Sequence, residues 1–558
     1  MSASKIKEIR NVTREQPLLG RVGSTAPGSD SPSLTHLPDE LLIQIVANLD
    51  LKDILNSRTV CRALRTACGS REAWRSMYLR QHGEALPRPF LMPKPIKECS
   101  ADDIESSLQK WYAEWPAAGA VQRTRRVVKT ELLRGRHPHR STMVLTPGGR
   151  WAITGYADGS VWCFDLSDNP EATGDVEPFL LLPSTYPEAE VAGRGIQVFL
   201  SIDCASEEAL GPTFETHHLA QFNVAIITCP YDYRSTKAST SIDIWRIHIP
   251  EPGENDHRDP PQLRLGSRLS TFKDSGTGKL LSCSLYGKAV AYSMNSPPSQ
   301  CTVIVDWEEA NGKNEDQGIP RWYVPDIASL TVKLLPGDRI LTTHQPGALC
   351  VHNWRLDCPS SPLSPATQQL ERITPAWVCG RLGNVCGVAI SSFFVVRNSI
   401  RLVVPTSSTL YGLTIPKDSH DPSLITLEPL VKGYFGFSSL VVAFGLDRGA
   451  GVVTDDNTQL CFTRHKWNDD LPRLVGNQHT PKPTIAEYEA TEPDLQAAKR
   501  LLYDQCSGRL FIFDSELSSI LTLVNSPPTK TPVSPPKDQK SAEIPPADPD
   551  NIPHVQIH

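Results

Sequence analysis

The chain has 558 residues, and 56 basic side chains against 62 acidic ones give a formal net charge of −6. No basic region stands out, so the charge pattern argues against a nucleic-acid-binding protein. The 48 prolines exceed the usual share of about 5% and argue against a mostly helical chain, because each proline inside a helix costs about 3 kcal/mol or more.

The first 120 residues divide into three predicted segments. Residues 1–33 are polar and rich in Gly, Ser and Pro, so we expect a disordered leader. Residues 34–82 are predicted to be helical, with a first helix starting at Pro38, a second over 52–64 and a third from about Ser70. Apolar residues with helical spacing support the first helix: Leu41, Leu42, Ile45, Val46 and Leu49.

Residues 83–120 are predicted to be a proline-rich connector that ends in a linker helix. Ser100 and Asp103 have the spacing of a capping box, and the helix that follows is expected to end at Pro116.

From residue 121 to residue 525 strand patterns dominate, and one unit recurs. Two apolar strands flank Asp158-Gly159, a dipeptide that strongly favours a tight hairpin. Weaker copies follow, which predicts an all-β propeller of about seven blades, closed by a strand at Val127-Val128. The predicted strand pairs are 145–155 with 160–165, 224–228 with 241–245, 289–292 with 302–307, 339–342 with 349–354, 401–404 with 410–413, 451–453 with 460–462, and 500–503 with 510–514.

The sequence therefore predicts an α+β multidomain chain, in which a small all-α module precedes the propeller. Stretches around 168–187, 251–261 and 357–375 are rich in Pro, Gly, Ser and acidic residues, and we predict that they are surface insertions. Residues 526–558 contain nine prolines and are predicted to be a disordered tail.

The helical segment resembles the F-box. The resemblance rests on the sequence from Leu37 to Leu42, on Val60-Cys61-Arg62 and on Trp74, each at the spacing of that motif. The repeat region resembles WD-repeat propellers, with Phe164-Asp165 near the family's Trp-Asp position. The whole is similar to the fungal-type F-box/WD proteins.

That resemblance implies a substrate-recognition subunit of a Skp–cullin–F-box ubiquitin ligase. The F-box would bind a Skp-type adaptor and, through it, cullin and RING subunits, while the propeller would bind a protein target that the sequence does not identify. The subunit would contribute proximity, so it would need neither catalytic residues nor a cofactor. By analogy, the residues that contact the adaptor or shape the contacting helices are Leu37, Pro38, Leu41, Ile45, Leu49, Val60, Cys61 and Trp74.

Other functions fit parts of the same sequence. The same apolar residues could instead form the core of an ordinary helical bundle, and the same motifs would fit an F-box scaffold without a degradation target. A propeller enzyme would need acidic or histidine side chains gathered at the central channel. Six arginines in the helical segment are predicted to lie on solvated helix faces rather than to contact nucleic acid: Arg58, Arg62, Arg65, Arg71, Arg75 and Arg80.

The sequence motifs that could indicate catalysis, nucleotide binding or metal binding are all weak. The stretch 275–279 lacks the spacing of a phosphate-binding loop, and the histidine pairs His137/His139 and His217/His218 lack further ligands. Fourteen cysteines without a C-x-x-C pair favour buried reduced thiols and no metal site. We expect a soluble protein of the cytoplasm or nucleus that binds no membrane, because no secretory signal or long apolar run is present.

Target recognition is expected on one face of the propeller, where loops from all blades meet. Arginines suit a phosphorylated target because they pair with phosphate through two hydrogen bonds. Arg194, Arg339 and Arg397 are candidates that the sequence cannot place on that face.

Overall fold

The structure is a computed structural model of the chain, and it describes most of the helical module and the propeller. The described residues are 37–82, 85–87, 92, 94–112, 121–129, 133, 142–166, 175–186, 195–230, 239–250, 262–274, 279–296, 299–314, 317–325, 329–344, 347–362, 373–380, 382, 390–406, 408–432, 437–453, 459–465, 467, 485–488, 498–514 and 517–525. The predicted leader and tail lie outside them. Among the described residues, no helix is both long and apolar enough to cross a lipid bilayer.

Five helices form the N-terminal module. They are α1 (Asp39–Ala47), α2 (Leu51–Ser57), α3 (Arg62–Cys68), α4 (Arg71–His82) and α5 (Ala101–Tyr112). The single helix predicted over 52–64 is wrong, because the chain breaks between α2 and α3. Cys61 is extended there, with φ of −156°, and its sulfur accepts a hydrogen bond from the Leu64 amide, which caps α3.

The linker helix α5 begins as predicted. The Asp103 amide donates to Ser100 Oγ over 3.1 Å, and the Ser100 amide donates to Asp103 Oδ2 over 2.9 Å, which completes a capping box. These hydrogen bonds lower the pKa of the Asp103 carboxyl. Ile104, Leu108 and Trp111 then pack into the same apolar core as α1 to α4.

Antiparallel sheets arranged as seven blades form the rest of the described structure, as predicted. The strands are β1 (Ala85–Leu86), β2 (Val121–Val127), β3 (Met143–Leu145), β4 (Trp151–Gly155), β5 (Val161–Asp165), β6 (Phe179–Leu182), β7 (Ile196–Asp203), β8 (Gln221–Pro230), β9 (Thr240–His248), β10 (Arg264–Asp274), β11 (Lys279–Tyr286), β12 (Ala289–Ser296), β13 (Ser299–Asp306), β14 (Arg321–Pro325), β15 (Val332–Leu335), β16 (Arg339–His344), β17 (Ala348–Asn353), β18 (Ser360–Ser361), β19 (Trp377–Cys379), β20 (Phe394–Val396), β21 (Ser399–Pro405), β22 (Thr409–Pro416), β23 (Thr426–Lys432), β24 (Phe437–Phe444), β25 (Arg448–Val453), β26 (Gln459–Arg464), β27 (Ile485–Tyr488), β28 (Ala498–Asp504), β29 (Arg509–Asp514) and β30 (Ser519–Asn525).

Hydrogen-bonded neighbours define the blades. Blade 1 is β3 to β6, blade 2 is β7 to β10, blade 3 is β11 to β14 with β18, blade 4 is β15, β16, β17 and β19, blade 5 is β20 to β23, blade 6 is β24 to β27, and blade 7 is β28, β29, β30 and β2. Short helices interrupt the connections: α6 (Glu207–Leu210), α7 (Trp307–Ala310), α8 (Trp354–Asp357) and the 3₁₀ turns Gly211–Thr216 and Pro422–Leu424.

The ring is closed by strands from both ends of the propeller segment. Val121 pairs with Asn525 and Val127 with Ser519, so β2 forms the outer strand of blade 7 beside β30. This confirms the closing strand predicted at Val127-Val128, although that strand begins earlier than predicted. Closure of this kind leaves blade 7 without an unpaired outer edge along β30.

Two predictions about the strands need correction. Six of the predicted strand pairs are the second and third strands of a blade, but 500–503 with 510–514 is the first and second, because blade 7 takes its fourth strand from β2. Two predicted insertions also contain strands. Phe179–Leu182 forms β6, and Ser360–Ser361 pairs with β14, since short apolar or extended stretches within them can complete a sheet.

Buried polar contacts join neighbouring blades. Arg321 of blade 3 donates two hydrogen bonds to Asp274 of blade 2, over 3.1 and 3.2 Å, and both side chains are fully buried. The Tyr292 hydroxyl donates to the same carboxylate. The described cysteines form no disulfide, which agrees with the reduced thiols predicted from the sequence.

His465, which follows β26, gives the fold a testable pH dependence. Its Nε2 lies 2.9 Å from the Leu446 carbonyl oxygen, and burial lowers the pKa of the imidazole to about 4. In the unfolded chain the histidine pKa is near 6.5, so the unfolded state binds the proton at a higher pH than the folded state does. The stability that the neutral, buried imidazole contributes is therefore fully present above pH 6.5 and is lost as the pH falls toward 4.

We expect His465→Gln, which keeps the donor to Leu446 but does not titrate, to reduce the loss of unfolding free energy between pH 7 and pH 4 by up to about 3 kcal/mol. Denaturant unfolding of both proteins across that range measures it. Parallel pH profiles would show that the histidine does not titrate as described.

Candidate functional site

The first helix of the module presents an apolar face to solvent. Leu41 and Ile45, one helical turn apart, are 44% and 41% exposed, whereas Leu42 and Val46 between and beside them are buried. Pro38, which precedes the helix, is also exposed. Full burial of a Leu or Ile side chain contributes about 1.5–3 kcal/mol, so this face can contribute substantially to binding a partner.

The other predicted contact residues differ in their exposure. Val60, in the break between α2 and α3, is 71% exposed, while Leu37, Leu49 and Cys61 are half-buried. Trp74 is fully buried, and its ring lies under the Arg58 guanidinium at 5.1 Å. Trp74 therefore shapes the module from inside rather than offering its side chain to a partner.

Arg58 and Arg71 are partly buried and hold the module together, which corrects the prediction of solvated faces for these two, whereas Arg62, Arg65 and Arg80 are exposed as predicted. Arg58 forms a bidentate ion pair with Glu105 of α5, over 2.7 and 2.5 Å, and this hydrogen bonding raises the pKa of the guanidinium. Arg71 donates to the carbonyl oxygens of residues 96, 97 and 99, and Arg80 to those of residues 47 and 49.

The connector belongs physically to the helical module. Met92, Ile96 and Cys99 are buried in the same apolar core as Trp74, and Arg71 fixes the turn that follows them. Helix α5 contributes to that core as well, so the docking face of α1 is carried by a unit that includes α5.

This unit is bound to the propeller at two places. The Tyr78 hydroxyl lies 3.0 Å from Nδ1 of His217 in blade 2, and the two buried rings meet edge to face. On the other side, Arg448 of blade 6 donates to the Trp111 carbonyl oxygen and stacks on the Trp111 ring. The amides of Met92 and Ile96 add hydrogen bonds to the 216–217 turn, over 2.9 and 3.1 Å.

Part of the connector enters the central opening of the ring. Ala85 and Leu86 pair with Val396 and Val395 of β20, the first strand of blade 5. Pro87 lines a cavity in the centre of the propeller, together with the first strands of all seven blades. The blade residues, one from each, are Leu145, Ser201, Leu285, Lys333, Phe394, Phe444 and Tyr503.

These contacts distinguish the two ends of the propeller. We call the end of the propeller that carries the turns between first and second strands the connector end. Three of these connections contact the helical module or lie beside it: the β20–β21 turn, the 204–220 segment and the β24–β25 turn. The opposite end, with the turns between second and third strands, is the open end. Every connector contact described above lies at the connector end.

Two carboxylates near the central opening accept hydrogen bonds from backbone amides. Asp203 accepts hydrogen bonds from the amides of Ala205, Ser206 and Gly287, and Asp504 accepts from those of Gly148 and Ser507. Burial raises the pKa of both carboxyls. These two side chains thus join neighbouring blades instead of pointing together at a substrate.

The two described candidate arginines for phosphate binding both lie at the connector end, not at the open end. Arg339 is buried and donates to the carbonyl oxygens of Pro416, Lys417 and Ser419, which joins blade 4 to blade 5. Arg397 occupies the β20–β21 turn at the connector end, with φ of 53°. Arg194 lies outside the described residues. His217 contacts the Tyr78 hydroxyl through Nδ1 over 3.0 Å.

Removal of the Tyr78 hydroxyl tests this attachment. We expect Tyr78→Phe to weaken docking by about 1 kcal/mol, because His217 loses a buried partner, and to speed amide hydrogen exchange at Met92 and Ile96 about fivefold. Tyr411→Phe in blade 5 is the control. Unchanged exchange in Tyr78→Phe would mean that this hydrogen bond does not hold the connector.

Comparisons with known proteins concern the two parts of the chain separately. Residues 34–80 match the F-box-like family. The β-propeller domain of Cps50 (Swd1) from Myceliophteria thermophila is similar over 70% of this chain and 97% of its own, at 13% identity and a TM-score of 0.39. The blades themselves, rather than this likeness, identify the propeller. No curated protein matches the chain in sequence.

Proposed function

We propose that this chain, an F-box-like domain followed by a seven-bladed propeller, is the substrate-recognition subunit of a Skp–cullin–F-box ubiquitin ligase. The exposed apolar face of α1 carries the proposal. It belongs to the F-box-like segment, and Leu41 and Ile45 have no apolar cover within the described chain that would bury them. A Skp-type adaptor would cover this face and connect it to cullin and RING subunits.

The attachment of the module to the propeller supports the same proposal. The ion pair of Arg58 with Glu105, the Tyr78–His217 contact and the insertion of Leu86 hold the docking face in a defined position relative to the ring. A receptor that presents a target lysine to a distant enzyme benefits from such a fixed geometry, because tethering raises the effective concentration of the target.

The target is proposed to bind at the open end of the propeller, because connector residues 85–87 enter the ring from the connector end. The chain supplies no reaction chemistry in this proposal, and ubiquitin transfer would be carried out by the enzymes that the adaptor recruits.

The adaptor-binding face is tested by Leu41→Asp combined with Ile45→Asp in the full chain. Loss of two buried anchors worth about 1.5–3 kcal/mol each predicts at least a hundredfold weaker adaptor binding, measured by calorimetry with the purified Skp-type adaptor. Because both side chains are exposed, we expect an unchanged melting temperature.

Leu424→Asp, at an exposed leucine of blade 5, is the matched control. Equal adaptor affinity in all three proteins, or none in the wild type, would refute the ligase proposal. If the adaptor binds but the bound target keeps the same lifetime in cells with the double variant, the chain is an F-box scaffold and not a degradation receptor.

The position of the target is tested by photo-crosslinking from single sites. Ala157 and Ser408 lie in turns at the open end, whereas Leu356 and Leu424 lie at the connector end. We expect the target to crosslink from the first pair and not from the second. Adducts formed only from the second pair would place recognition beside the F-box-like domain.

A further inference from the structure

Blade 4 gathers three side chains that can bind a metal ion. Cys350 and His352 are two residues apart on β17, and His344 lies on β16, diagonally across the hairpin. One nitrogen or sulfur atom from each lies within 4.8 Å of the others. The strand register brings them together, because Thr342 pairs with Cys350 and alternate residues of a strand share a face.

Two of the three side chains, Cys350 and His352, are buried, and the His352 ring is poorly satisfied. His352 is 2% exposed, and within the described part of the chain neither of its ring nitrogens has a hydrogen-bond partner. A buried polar atom without a hydrogen-bond partner costs about 1–3 kcal/mol, so a site of this kind destabilises the fold when no ligand fills it.

The neighbouring blade faces this site with further polar groups. Ser293 and Thr302 pair with each other in blade 3, on the same sheet face as Ala291 and Ile304. Those two residues share an apolar cluster with Ile340 of blade 4. Among the described atoms, the buried hydroxyls of Ser293 and Thr302 also have no partner. A polar layer thus lies within an otherwise apolar blade interface.

A neighbouring hydroxyl positions one of the three candidate ligands. His344 Nε2 lies 3.0 Å from the Thr342 hydroxyl, a contact that orients the ring as outer partners of metal-bound histidines do.

We propose that His344, Cys350 and His352 form a zinc site inside blade 4. Two imidazoles and a thiolate are ligands that zinc commonly takes, and a site with three protein ligands keeps a fourth position for water. On binding, the Cys350 thiol releases its proton to solvent and the sulfur forms the bond to the metal. Ligand atoms around tetrahedral zinc are about 3.3–3.6 Å apart, so the side chains need to close in by at most about 1.5 Å, which rotation about their χ angles provides.

The metal would fix the open end of blade 4. His344 is the last residue of β16, directly before the turn that leads into β17, so a bond from its ring to the metal would tie that turn to the interior of the sheet. This site is independent of the proposed ligase function, and it would exist whatever partner the propeller binds.

Metal content of the untagged full chain tests the proposal. We expect about one zinc per chain by mass spectrometry, and a thiolate-to-cobalt charge-transfer band when Co²⁺ replaces it. Cys350→Ser is expected to abolish that band and to lower the zinc content at least fivefold. Chelation should lower the melting temperature of the wild type by several degrees and leave that of the variant unchanged.

Cys358→Ser is the matched control, because Cys358 is a buried cysteine in the segment that follows β17 and lies outside the cluster. His344→Gln gives a second variant at a partly exposed position, in case Cys350→Ser fails to fold. A folded wild-type chain without zinc that also gives no thiolate band with added Co²⁺ overturns the proposal, as does equal zinc content in the wild type, Cys350→Ser and His344→Gln.

Discussion

The pairing of Ala85–Leu86 with β20 decides how the two parts of the chain relate to each other. It is only two residues long, yet it brings the connector into the central opening and leaves the turns between second and third strands at the opposite end. The contacts of Tyr78 with His217 and of Trp111 with Arg448 then hold the helical unit on blades 2 and 6. The position of α1 relative to the ring and the free end of the ring both follow from this attachment.

A propeller must also keep its blades in order, because similar sheets could pack beside the wrong neighbours. In this propeller, polar contacts between particular blades favour the native order of the blades. Arg321 pairs with Asp274 of the preceding blade, and Arg339 donates to three carbonyl oxygens of the next blade. Buried charges of this kind contribute little net stability when paired, but an unpaired one costs about 3–5 kcal/mol, so a misplaced blade would be strongly disfavoured.

Local patterns in the sequence predicted much of the fold. The Asp-Gly turn and the capping box at Ser100 are each specified within about ten residues, and the structure confirms both. The closing strand was also predictable, because a closed ring requires a partner for its last strand. The break at Cys61 was missed, since its cap is a sulfur atom and the flanking residues tolerate a helix.

The rest depends on contacts between distant residues. The short β1 has no alternation to detect, and Arg58, Arg71 and Arg339 resemble surface arginines until their carbonyl and carboxylate partners are known. The same holds for His344, Cys350 and His352, whose sequence spacing matches no common zinc motif and which meet only through the register of two strands. The candidate docking face was more accessible to prediction, because Leu41 and Ile45 lie on a single helix.

The closure of blade 7 has a consequence for biosynthesis. Strand β2 is synthesised almost 400 residues before β30, its only partner within the described sheet, so the ring cannot close until the last strand has left the ribosome. The helical unit emerges first, but β20, on which its connector pairs, follows some 300 residues later. Nascent chains therefore pass through a long stage with an assembled N-terminal module and an open array of blades, during which the exposed strand edges need protection by chaperones.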